Sequence, residues 1–301
     1  MYRSLLFLSV GVLALSACDD DTMIEPLVET LDLQFSGLEP LTNGFHYEGW
    51  AIIDGSPVST GKFNVDGNSG LTTVAGVPIA GGSFSTGIDL SETGMIVLTI
   101  EPSGDTDDIP ADTHVLAGSV TGGMADLTAG HMAALGDDFM TASGEYILAT
   151  PTTMATSDEL SGIWFLSLAS GSPMTGLDLP TLPAGWAYEG WAVVSGTPVT
   201  TGRFTSFVMA DDSAPFSGPD AGPPFPGDDL IMNAPEGLMF PTSLAGGLAV
   251  ISIEPEPDDS PAPYTFKPLM GGIDAMAMDH VTYSIPNMAD ATFPTGTATI
   301  R

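Results

Sequence analysis

The chain has 301 residues, of which 38 are acidic and five are basic, giving a formal net charge of -33. A surface this poor in lysine and arginine repels polyanions, which excludes nucleic-acid binding. Hydrophobic residues make up 43%, enough to build real cores and to exclude wholesale disorder, while 36 glycines and 25 prolines favour short strands and turns over long helices.

Taken in chain order, Arg3 supplies a small positive head and residues 5–15 an apolar run too short to span a bilayer as a mature helix. Leu15-Ser16-Ala17-Cys18 follows directly and resembles the bacterial lipobox. In that motif small residues precede a cysteine that takes a thioether-linked diacylglycerol and becomes the new N-terminus. The expectation is a lipoprotein signal peptide over 1–17, lipidation at Cys18, and a tether over 18–30. Cys18 is the single cysteine, so neither an intramolecular disulfide nor a cysteine metal cluster is expected. Asp19 to Asp21 resemble an inner-membrane retention signal of enteric-type sorting, and the choice between inner and outer membrane stays open.

The rest of the chain repeats itself. Tyr47-Glu48-Gly49-Trp50-Ala51 recurs as Tyr188-Glu189-Gly190-Trp191-Ala192. Each is followed by a Gly-x-Pro-Val turn (Gly55, Pro57, Val58; Gly196, Pro198, Val199) and a Thr-Gly-basic-Phe stretch. The latter reads Thr60, Gly61, Lys62, Phe63 and then Thr201, Gly202, Arg203, Phe204. Residues 96–102 match 249–255, each ending in Glu-Pro, and residues 143–147 match 295–299. A longer offset in the second copy implies an insertion over 211–229. Each copy is long enough to be a domain rather than a solenoid unit. The expected boundaries are 31–150 and 160–301, with a polar linker over 151–159.

Strand signals dominate both copies. Residues 45–53, the turn at Asp54-Gly55 and residues 58–65 predict a hairpin. Residues 95–100 and 248–253 predict buried central strands, residues 162–168 another strand, and residues 124–135 one short helix weakened by Gly130. The expected fold is all-β, as two tandem antiparallel β-sandwich-like domains.

The pattern of Tyr-x-x-Trp, then Gly-x-Pro-Val-x-x-Gly-x-Phe, then a hydrophobic strand ending in Glu-Pro is similar to the extracytoplasmic C-terminal domain of anti-sigma-K factors. Residues 41–63 and 96–103 carry the resemblance in the first copy, and 182–204 and 249–255 in the second. It implies a β-rich envelope domain. The cytoplasmic helical domain and transmembrane helix of those factors have no counterpart in this sequence, so direct capture of a sigma factor is not expected.

Chemistry-bearing motifs are sparse. His46, His114, His131 and His280 lack zinc-site spacing, and no nucleophile elbow, Walker A or dinucleotide motif occurs. Asp105, Asp107, Asp108 and Asp112 crowd one loop, with Asp258 and Asp259 in the equivalent one, and at most weak cation binding is expected there. No metal and no cofactor is expected. Tyr47, Trp50, Tyr188 and Trp191 are expected in the core rather than on a carbohydrate platform. Glu48 and Glu189 are the most enzyme-like residues. A three-residue turn at 54–56 would set Lys62 directly across from Glu48, and Arg203 across from Glu189. An even-length loop would put the partners on opposite faces. Structural pairs Glu48 with Lys62 and Glu189 with Arg203 are expected. The functional expectation is a non-catalytic envelope lipoprotein, bound to the membrane through its lipid and to an unidentified envelope protein or polymer. The alternative is an extracytoplasmic hydrolase or carbohydrate-binding protein.

Overall fold

A computed structural model describes residues 29–258 and 260–301. The signal segment 1–17, Cys18 and the tether up to residue 28 lie outside the described residues, as does Asp259. The first repeat contains β1 (Thr30–Ser36), β2 (His46–Ile53), β3 (Ser56–Val65), β4 (Leu71–Thr72), β5 (Ser83–Ser85), β6 (Thr93–Glu101), β7 (His114–Ser119), β8 (Met124–Thr128) and β9 (Ser143–Leu148). The second opens with β10 (Gly162–Trp164), β11 (Leu166–Ser167), β12 (Met174–Thr175) and β13 (Leu177–Asp178). It continues with β14 (Trp186–Val194), β15 (Thr197–Phe204), β16 (Gly227–Asp229), β17 (Leu248–Pro255), β18 (Leu269–Gly272) and β19 (Tyr283–Ile285). One turn of helix, α1 (Ala289–Thr292), precedes the last strand, β20 (Thr295–Ile300).

The fold is all-β and antiparallel, as the strand signals predict. Nine strands form one sheet in the order β4-β3-β2-β6-β7-β8-β20-β1-β5. This sheet curls on itself: Phe84 of β5 packs its ring 5.5 Å from that of Phe63 on β3. The second repeat forms a four-stranded sheet β15-β14-β17-β18 and a sheet β13-β9-β10-β16 in which β19 also pairs with β9. One contiguous apolar core runs through both repeats, from Leu31, Tyr47 and Phe63 to Tyr188, Ile251 and Phe266. Each large side chain so buried contributes roughly 1.5–3 kcal/mol relative to exposure.

The sheet order contains an exchange. Strand β9 ends the first repeat but pairs with β10, β13 and β19 of the second. Strand β20 ends the second repeat but fills the gap between β1 and β8 of the first. The registers correspond: Leu31 faces Ile300 as Ile163 faces Leu148. The repeats run 31–150 and 160–301 in sequence, yet the nine-stranded sheet takes β20 from the second and the sheet β13-β9-β10-β16 takes β9 from the first. The two connections cross at Asn287, whose side-chain amide donates to the carbonyls of Phe139 (2.7 Å) and Ala142 (2.9 Å). Side-chain size supports the exchange. Ala298 of β20 lies buried opposite Leu33 and Ala125. Its counterpart on β9 is Tyr146, opposite Tyr283 with ring centroids 5.6 Å apart. Moving β9 back into the first sheet would force a tyrosine into an alanine slot, and such overpacking is destabilising.

The expected helix over 124–135 is also corrected. Residues 124–128 form β8, with Ala125 and Leu127 buried and Met124, Asp126 and Thr128 exposed. That is the two-residue period of a strand, and β20 supplies its partner.

Candidate functional site: a carboxylate cluster on each repeat

In each repeat the hairpin strands and one central strand lie side by side, as β3-β2-β6 and as β15-β14-β17. Alternation along β2 sends Tyr47 into the main core and turns Glu48 and Trp50 to the opposite face, where Trp50 packs with Val97, Ala117 and Ala134. The hairpin turn is two residues long, since Ile53 pairs with Ser56. Asp54 and Gly55 hold φ of 51° and 78°, as a type I′ turn requires. Of the two turn lengths the sequence left open, the even one forms. A β-bulge restores the register that the short turn would lose. Trp50 pairs with Ser59 and Gly49 with Gly61, so Thr60 is the extra residue and Glu48 faces Lys62. The second repeat does the same: Trp191 pairs with Thr200, Gly190 with Gly202, and Glu189 faces Arg203.

In the first repeat Glu48 is 1% exposed and accepts a short hydrogen bond from the Ser59 hydroxyl. Lys62 Nζ lies 3.4 Å from Glu48 Oε2 and 2.7 Å from Asp105 Oδ2. Beside them Trp50 Nε1 donates to Thr99 Oγ1 (2.9 Å), and the Thr99 hydroxyl donates a short bond to Glu101, which also accepts from the Ala111 amide at 3.0 Å. Burial pushes the Glu48 carboxyl above its usual range, against the pull of Ser59 and Lys62. The Lys62 hydrogen bond holds Asp105 below its usual range. For Lys62 burial acts downward, yet Asp105 and Glu48 outweigh it and the ammonium is stabilised. Of the acidic loop, Asp105 alone turns into this cluster; Asp107, Asp108 and Asp112 are exposed. His46 adjoins the cluster: one atom each from His46, Glu48 and Asp105 lie within 4.8 Å of one another.

The second repeat builds the same relay with one difference. Trp191 Nε1 donates to Ser252 Oγ (2.8 Å), Ser252 donates a short bond to Glu254, and the Tyr264 amide also donates to Glu254 at 2.9 Å. Thr200 donates a short bond to Glu189. Glu189, Glu254 and Asp258 each place an oxygen within 4.8 Å of the others. Arg203, although opposite Glu189, directs its guanidinium to Asp212 (3.5 Å) and Glu256 (3.4 Å). The expected Glu189–Arg203 ion pair is therefore corrected: shared register does not fix where a long side chain ends, and two exposed carboxylates compete for this one. Burial pushes Glu189 up to about 7 and Glu254 up to about 8.

Tyr47, Trp50, Tyr188 and Trp191 are all at most 2% exposed, so no ring face among them is open to a sugar. Sequence reasoning did not single out Glu101, Glu254, Thr99 or Ser252. Their signal was present in the recurring Thr-Ile-Glu-Pro and Ser-Ile-Glu-Pro, where a hydroxyl and a carboxylate two residues apart share a strand face. Compared with family models, with curated proteins and with solved structures, the chain finds no match.

Proposed function

We propose that the chain is a non-catalytic lipoprotein of the bacterial cell envelope, anchored by an acylated Cys18 and presenting its β body as an extracytoplasmic binding module. The kinship suggested by the anti-sigma-K-like pattern belongs to this reading, with an envelope protein or polymer as the partner. The observation that carries the non-catalytic part is the use made of the enzyme-like carboxylates. Glu48 and Glu189 are 1% and 5% exposed and bonded to hydroxyls of the adjacent strand. A general acid or base must reach substrate, and these groups serve the sheet instead. For the anchor, β1 begins at Thr30 and Cys18 lies before the described residues. Among the described residues no helix is long and apolar enough to cross a membrane.

The anchor is tested by fractionating cells that express the wild type or Cys18→Ala, with mass spectrometry of the N-terminal peptide. The expected result is an acylated wild type in the membrane fraction and a variant released from it, since stable anchoring needs two or more chains. An unacylated, soluble wild type would overturn the reading.

A further inference from the structure

Both repeats gather carboxylates at one place on the sheet, and in the first a lysine bridges two of them. There the Lys62 ammonium lies within 3.4 Å of Glu48 Oε2 and 2.7 Å of Asp105 Oδ2. The equivalent carboxylates of the second repeat are Glu189 and Asp258, joined by Glu254. The equivalent base, Arg203, is drawn off to Asp212 and Glu256. Glu189 Oε2 is left buried with no hydrogen-bond partner, on a residue that is 5% exposed. An unpartnered carboxylate oxygen beside two further carboxylates is costly in a protein interior. In the first repeat that cost is removed by a positive charge at the same place.

We propose that the cluster of Glu189, Glu254 and Asp258 is a calcium site, in which the ion takes the position that the Lys62 ammonium holds in the first repeat. All three ligands are carboxylates, and an all-oxygen set selects a hard cation over zinc or copper. The spacing fits. Oxygens within 4.8 Å of one another can share an ion at the 2.3–2.6 Å of calcium coordination. Glu254 is fixed in advance by Ser252 and the Tyr264 amide, and Glu189 by Thr200, so two ligands are already ordered. Asp258 lies beyond the end of β17 and brings the third from a partly exposed loop, which gives the ion a path in. The charged groups facing the cluster are Arg203 and Asp212 from the hairpin side and Lys267 from the chain after Tyr264. The first repeat does not take the same ion, although one atom each of His46, Glu48 and Asp105 lie within 4.8 Å of one another, because Lys62 already occupies that position. The inference does not depend on the lipid anchor or on any partner.

The test is a calorimetric titration of the full chain, stripped with a chelator, with calcium chloride at neutral pH and moderate salt. One calcium per chain is expected. Glu189→Gln should weaken it at least tenfold. Arg203→Lys, which returns an ammonium to the position Lys62 holds in the first repeat, should weaken it similarly. Asp107→Asn, in the exposed acidic loop of the first repeat, should leave it unchanged. If Glu189→Gln fails to fold, the Arg203→Lys titration and the rise of the wild-type melting temperature with calcium still decide the matter. The proposal is overturned by no saturable binding at millimolar calcium. It is equally overturned by weak multiple binding that survives both substitutions, which would mark a diffuse acidic surface.

Discussion

Lys62 is one of few basic residues in the chain, and the structure spends it on two carboxylates at once. Glu48 at 1% exposure has little water to solvate it, so the Ser59 hydroxyl and the ammonium together are why the carboxylate is tolerated. Lys62 itself is 32% exposed, which moderates the energy of the pair. Lys62→Ala should therefore cost about 1–3 kcal/mol in chemical unfolding, less than a fully buried pair would. Glu48→Gln in the same chain should recover a good part of that loss, because the amide leaves no charge stranded. A double-mutant cycle reads the coupling directly, and an interaction energy near zero would show that the pair contributes nothing. At this scale the sequence was informative about position and uninformative about direction. The recurrence of Glu48 and Lys62 as Glu189 and Arg203 raised the expectation of facing pairs, and the bulged register sets them opposite each other. It said nothing of Asp212 and Glu256, which come from a loop and a strand end, and which decide where the Arg203 guanidinium goes.

The hairpin is the element on which both clusters depend, and its bulge is the reason they form. A two-residue turn followed by a regular ladder would have set Gly61, not Lys62, across from Glu48, so the basic residue would have left the cluster's face. Thr60-Gly61 and Thr201-Gly202 absorb the extra residue, with φ of 133° at Gly61 and 113° at Gly202. Few residues other than glycine adopt that backbone. The Thr-Gly pair was visible in both copies of the sequence, but a bulge has no signature distinct from a Thr-Gly within a strand. The sequence therefore left the turn length open, although the facing pair was expected. The two glycines differ in what a side chain would meet. A Cβ at Gly61 would lie 3.0 Å from the ring edge of Phe84, which can shift. A Cβ at Gly202 would lie 2.6 Å from Asp211 Cγ and 2.7 Å from the backbone oxygen of Ser213. Gly61→Ala should cost about 1–3 kcal/mol from backbone strain, and Gly202→Ala distinctly more. Equal melting temperatures for the two variants would contradict that order.

At the scale of the whole molecule, the strand exchange makes two repeats into one cooperative body. The sequence revealed two copies with matching last strands, but a strand's alternation encodes its faces and not the address of its neighbours. Residues 143–148 and 295–300 each carry a pattern that suits an inner position in a sheet, and nothing local says whose sheet. What distinguishes the two slots is volume: Ala298 stands where the other repeat has Tyr146, and both are buried. The exchange has a direct consequence for fragments. A chain ending after residue 150 lacks β20 and leaves β1 and β8 with open edges, which invite pairing with other chains. Its own β9 cannot fill the gap without pressing Tyr146 against the buried Leu33 and Ala125 positions. A chain starting at residue 151 lacks β9, the shared partner of β10, β13 and β19, so three of its strands lose their common neighbour. Neither fragment should unfold cooperatively alone, and each should show the broad thermal transition of an incompletely packed chain. Mixing the two halves should restore a single sharp transition, because every missing strand is present in the other fragment. Co-expression followed by purification through a tag on one half should recover both. A sharp, independent transition in the isolated first half would mean that β9 had folded back into its own repeat, and that the exchange is not what holds the molecule together.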